Sequence, residues 1–149
     1  YQQARMSVID MVTAAEELGV TVGIEAGLNH PIYTSQLAKR LIDEVQSRYL
    51  KIIFDPANLM RPDNYQEQTT VIARALDQLQ DAIEVVHLKD FVVTNGQIQI
   101  VPVGQGLMDY TETLSFLKSK PQLPASLEAT TETDLPLALK TIQRLYQSL

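Results

Sequence analysis

Apolar positions along this chain switch between helical and extended spacing, block after block. Val8, Met11, Val12, Ala15 and Leu18 form a helical stripe, and Gly19 follows where a left-handed C-cap belongs. Thr21–Glu25 reads as a strand. Thr34 or Ser35 suits the N-cap of a second helix, with Leu37, Leu41 and Val45 on its buried face. Lys51–Asp55 is a second strand, and Ile72, Ala75, Leu76 and Leu79 mark a third helix. Ile83–Lys89 is a third strand. Asp109-x-x-Glu112 has the spacing of a capping box, opening a helix through Leu114 and Leu117. Ala125–Glu128 is a short fourth strand, and Ala138, Ile142, Leu145 and Leu149 keep register in a final helix.

The order is α-βα-βα-βα-βα, in which alternating units predict a parallel sheet joined by helical crossovers. One segment breaks the alternation. Within Phe91–Ile100, Asn95-Gly96 stands between β-favouring residues and predicts a type I′ hairpin decorating the loop after the third strand. No linker or low-complexity stretch divides the 149 residues, so they read as one domain.

Composition narrows the function classes. The net charge is −6, with twelve Lys and Arg scattered among eighteen Asp and Glu, and no basic stripe appears. Phosphate contacts dominate nucleic-acid affinity, so this balance argues against DNA or RNA as partner. No apolar run reaches the ~18 residues of a membrane span, and the residues from Tyr1 do not read as a signal peptide, having no basic stretch followed by an apolar core. The absence of cysteine removes disulfides and thiolate metal sites and fits a cytoplasmic location.

Each expected strand carries a side chain able to bind metal at or near its C-terminal end: Glu25, Asp55, His87 and Glu128. In parallel α/β folds, ligands bind beyond those ends. Alternation sets Val22, Ile24, Ile52, Phe54, Val86 and Leu88 on one face and Gly23, Glu25, Ile53, Asp55, Val85 and His87 on the other. Singly, each polar residue has an ordinary explanation: a surface charge, a turn before Pro56, a core histidine, a helix cap. Jointly, three carboxylates and an imidazole gathered on an inner face are costly to bury without a cation.

The same segments carry a family resemblance. Val22-Gly-Ile-Glu25, Ile53-Phe-Asp-Pro-Ala-Asn58, Val86-His-Leu-Lys-Asp90, Val101-Pro-Val-Gly-Gln-Gly106 with Asp109-Tyr110, and Ser126-Leu-Glu-Ala129 resemble, in order, signatures of the sugar phosphate isomerase/epimerase family. That family belongs to the xylose isomerase-like TIM-barrel superfamily, with its AP endonuclease family 2-like members. The resemblance implies a (β/α)8 TIM barrel, of which residues 1–149 supply the C-terminal part, about four βα units equivalent to strands five to eight. It also implies one divalent metal ion (Mn²⁺, Co²⁺, Mg²⁺ or Zn²⁺) held by Glu25, Asp55, His87 and Glu128. Three features depart from the family pattern: four strands rather than eight, Asn58 where many relatives have His, and Gly104-Gln105-Gly106 where Gly-Glu-Gly is common.

The expected activity is isomerisation or epimerisation of a sugar, phosphorylated or not, or of a similar small hydroxy-carbonyl substrate. Glu25 and Glu128 would act as acid–base pair, with proton transfer through a metal-stabilised enediolate. Asn58, Lys89, His30 and Arg61 are the expected substrate-binding residues. A dehydratase or other lyase on a hydroxy acid, or a binding module without activity, are the alternatives. A three-zinc nuclease needs more histidines than His30 and His87. Four strands leave two edges, so either further strands precede Tyr1 or copies pair into a homo-oligomer.

Overall fold

The computed structural model describes residues 1–149, folded as a parallel sheet with helices on one side. Four strands lie in the order β1 (Val22–Glu25), β2 (Leu50–Phe54), β3 (Ile83–Leu88) and β6 (Ala125–Leu127). Every pairing among them is parallel, with Glu25 opposite Ile53, Phe54 opposite Val86, and His87 opposite Ser126. The connecting helices are α1 (Gln2–Leu18), α2 (Ser35–Val45), α3 (Gln68–Leu79), α4 (Thr111–Ser119) and α5 (Leu135–Ser148).

Local chemistry accounts for the helix limits. Gly19 adopts φ 66° and ψ 30°, and its N–H reaches the Ala15 and Glu16 carbonyls to close α1. Thr34 caps α2, its hydroxyl accepting from the Leu37 N–H at 3.2 Å. The Asp109/Glu112 capping box does not form. Tyr110 is the N-cap of α4. The Asp109 carboxylate accepts from Thr111 N–H at 2.9 Å, while its own N–H is taken by the Gln68 side chain at 2.7 Å. A side chain from the start of α3 thus fills the place Glu112 was expected to fill.

The two sheet faces differ in burial. Toward the helices, Ile52, Phe54, Val86 and Leu88 are buried, and Leu41, Ile72, Ala75 and Leu114 close over them in one core. On the other face Ile53, Val85 and His87 are half-buried, and Ser126 is exposed. That face is the inner wall of a half barrel. Of the α1 stripe, Val8, Val12 and Ala15 are buried, whereas Met11 and Leu18 stay exposed because α1 lies beside the edge strand. Leu149 is likewise exposed.

β4 (Asp90–Thr94) and β5 (Gln97–Val101) form the expected antiparallel hairpin, Thr94 opposite Gln97. Its turn places Asn95 at φ 52° and Gly96 at φ 71°, the positive values a type I′ turn requires. No helix is long and apolar enough to cross a membrane.

Candidate metal centre

Glu25 ends β1, Asp55 and Glu128 follow β2 and β6 directly, and His87 lies in β3. Parallel register brings all four C-terminal ends to one rim. Each of the four residues offers a ligand atom, and these atoms lie within 4.8 Å of one another. His87 Nδ1 is 3.8 Å from Glu25 Oε2 and 3.6 Å from Glu128 Oε1, too far for good hydrogen bonds.

The sequence Asp-Pro-Ala-Asn explains how Asp55 is aimed. Its Oδ1 accepts from the N–H groups of Ala57 at 3.0 Å and Asn58 at 3.3 Å, opening a short 3₁₀ turn over Ala57–Leu59. That fixes the carboxylate and turns Oδ2 toward the cluster. Asn58, carried by the same turn, donates from Nδ2 to Glu25 Oε1 at 2.5 Å.

Lys89, two residues beyond His87, reaches the same point. Its Nζ lies 2.8 Å from Asp55 Oδ2 and 2.5 Å from Glu128 Oε2. Burial pushes the Asp55 carboxyl up to about 7, and Lys89 opposes this only in part. Burial also raises Glu128, but hydrogen bonds from Lys89 and Asp55 outweigh it, leaving that carboxylate below its ordinary range. The lysine loses some basicity to burial and regains more from the two carboxylates, so it stays charged.

Two atoms test whether a cation fits. Asp55 Oδ2 and His87 Nδ1 are both buried without a hydrogen-bond partner. The Lys89–Asp55 contact is an ion pair outside hydrogen-bonding geometry. Buried polar atoms without partners are rare in folded proteins. Here both point into a cluster whose donor set, carboxylate oxygens plus one imidazole, suits Mn²⁺, Co²⁺, Zn²⁺ or Mg²⁺.

The remaining expected residues divide. Asn58 and Lys89 touch the cluster. His30 stands beside it, its Nδ1 3.3 Å from the Glu25 carbonyl oxygen. Arg61 is not brought there: it pairs with Asp63 at 3.1 Å and lines a separate cleft with Tyr33 and Glu67. Two supporting residues escaped the sequence reading. Asp90 is buried, its Oδ1 accepting from Phe91 and Met108 N–H and its Oδ2 from Gly104 N–H. Tyr110 donates to the Lys89 carbonyl at 2.9 Å, and burial raises its pKa. The only sequence signal for either was its place in the motifs Val86–Asp90 and Asp109-Tyr110.

A family model described as "Xylose isomerase-like TIM barrel" matches residues 1–148, and the chain belongs to that family. A xylose isomerase domain protein from Planctomyces limnophilus superposes with a TM-score of 0.76 at 23% identity, over 99% of this chain and 52% of that one. The IOLI protein, solved with a zinc atom, gives 0.72 at 20% identity, over 99% and 56%. The 3-keto-D-glucoside 4-epimerase YcjR from E. coli gives 0.62 at 21%, over 96% and 53%. A probable dehydratase and a further epimerase share the fold. The chain spans about half the length of these structures. No curated protein matches the sequence.

Proposed function

We propose that this chain carries the metal-binding wall of a divalent-metal-dependent isomerase or epimerase acting on a sugar or related hydroxy-carbonyl compound. The observation that carries the reading is the convergence of Glu25, Asp55, His87 and Glu128, with two buried ligand atoms that lack a hydrogen-bond partner. A divalent cation held there would polarise a carbonyl and stabilise the enediolate formed when the neighbouring C–H is lost.

The chain's own residues divide the remaining work. Glu25 and Glu128 follow or end the two outermost strands, on either side of His87. One carboxylate removes the proton from carbon and the other returns it on the opposite face. Asn58 holds Glu25 Oε1 and leaves Oε2 free for this exchange. Asp55, fixed by two backbone N–H groups, serves as ligand rather than base. Lys89 supplies positive charge beside Glu128 for a developing oxyanion.

A panel of ketoses, aldoses and hydroxy acids, incubated in D₂O with Mn²⁺, tests the reading. Isomerised or epimerised product should carry deuterium at the carbon beside the carbonyl. Chelation should abolish turnover, and Glu25→Gln or Glu128→Gln should slow it by about 10²–10⁴-fold. Turnover that survives chelation would remove the metal role. A product lacking one water would replace isomerisation with dehydration.

A further inference from the structure

A second cavity, of about 150 Å³, adjoins the carboxylate cluster, and no charged carboxylate, ammonium or guanidinium lines it. Three segments wall it: Leu28 and His30 between β1 and α2, Asn58 and Met60 after β2, and Ile98 and Ile100 on β5. The first two segments follow the C-terminal ends of sheet strands and the hairpin follows that of β3, so the cavity lies on the same rim as Glu25. Asn58 is the shared wall, since its side chain lines the cavity while its Nδ2 holds Glu25.

The polar side chains that line it are two amides, Asn29 and Asn58, and the His30 imidazole. Asn58 spends one N–H on Glu25, which leaves its second N–H to donate and its carbonyl oxygen to accept, and Asn29 brings the same two kinds of group. His30 Nδ1 faces the Glu25 carbonyl and must donate to it, which makes Nε2 an acceptor in the neutral ring. Across from these polar groups, Ile98 and Ile100 present one face of β5, and Ile100 is 42% exposed although it sits on a hairpin flanked by glutamines. A ligand suited to this cavity both gives and accepts hydrogen bonds on one side, as hydroxyl groups do, and offers C–H groups on the other. A phosphate is ill suited: it brings negative charge and no C–H groups, and no lysine or arginine lines the cavity to neutralise it.

We propose that this cavity is the subsite for the unreactive end of the substrate, and that this end is an uncharged run of hydroxylated carbons rather than a phosphate. The reacting end rests on the metal reading above, whereas the cavity is tested without turnover. Room for roughly five water-sized groups matches a few such carbons.

The test is ligand-observed NMR titration of the protein, in the presence of Mn²⁺, with sorbitol and with sorbitol 6-phosphate. Sorbitol should bind at least about tenfold more tightly than its phosphate, the factor expected for one unpaired polar contact. Ile98→Asp should weaken sorbitol by about tenfold or more, Ile98→Val should retain it, and Mn²⁺ affinity should be the same in all three. Ile100→Asp, on the more exposed position of the same face, replaces Ile98→Asp in the titration should the latter unfold the hairpin. Equal or tighter binding of sorbitol 6-phosphate would overturn the proposal. So would sorbitol affinity unchanged in both aspartate variants. Failure of the wild-type protein to bind Mn²⁺ would remove the metal reading, while the two ligands still decide the cavity.

Discussion

Asp55 has the least accessible side chain of the four candidate ligands, 0% exposed, and Lys89 is the cation that faces it. A buried carboxylate without a partner is strongly destabilising, so the two residues depend on each other. Lys89→Met should lower the stability of the metal-free protein by roughly 1–3 kcal/mol in urea denaturation, and a saturating divalent ion should recover most of it. Equal stability of variant and wild type would show that the ion pair contributes nothing. Protonation gives a second test. Because burial raises Asp55 to about 7, the folded chain keeps a proton that the unfolded chain releases near its ordinary value of about 4. This group's contribution to metal-free stability is therefore present at low pH and is lost as pH rises from about 4 to about 7. Cation binding needs that proton gone, so Mn²⁺ affinity should climb through the upper part of the same window and level off above about 7. A flat affinity profile from about pH 5 to 7 would contradict the assignment. Only part of this coupling was legible in the sequence: Val86-His-Leu-Lys-Asp90 put Lys89 on the inner face, where it could neutralise carboxylates, but only the parallel register shows that Asp55 and Glu128 both lie within its reach.

The hairpin and the loop after it show how elements hold the site. Asp90, the first residue of β4, gathers three backbone N–H groups from its own strand and from the segment 104–108. That segment approaches so closely that a Cβ on Gly106 would overlap both the Phe91 carbonyl and the Asp90 carboxylate. Gly106→Ala should therefore cost about 1–3 kcal/mol or more by overpacking. Gly96→Ala, strained only by its positive φ in open space, should cost about 1 kcal/mol. Thermal melts of the two variants compare them, and equal losses would show that the Asp90 contacts do not hold the segment. The loss should also loosen Tyr110, whose hydroxyl anchors the Lys89 carbonyl. Strands, helices and the Asn95-Gly96 turn were legible because they obey local rules of period and backbone preference. The α4 start was not, because Gln68, about forty residues away in sequence, takes the Asp109 N–H. Arg61 lies away from the cluster for a related reason: following β2 in sequence says nothing about direction, and Asp63 holds it toward another cleft.

At the scale of the molecule, four parallel strands curve around one inner wall with β1 and β6 unpaired at their outer edges. Half-buried Ile53 and Val85 line that wall. Open edges and exposed apolar surface promote pairing between chains. Residues 1–149 alone should sediment at micromolar concentration as oligomers, and a cooperatively folding monomer would show that the edges are protected by other means. The alternation of helix and strand made the half barrel legible, since each βα unit is locally patterned. What covers the inner wall is not patterned within these residues. The site joins all four strands, so one ion would tie together segments more than a hundred residues apart in sequence, from Glu25 to Glu128. Equilibrium dialysis against Mn²⁺ tests that joint directly. One ion should bind per chain, with affinity falling by about a hundredfold or more in both Asp55→Ala and His87→Ala. No saturable binding, or one ion held equally well by the wild type and His87→Ala, would contradict it.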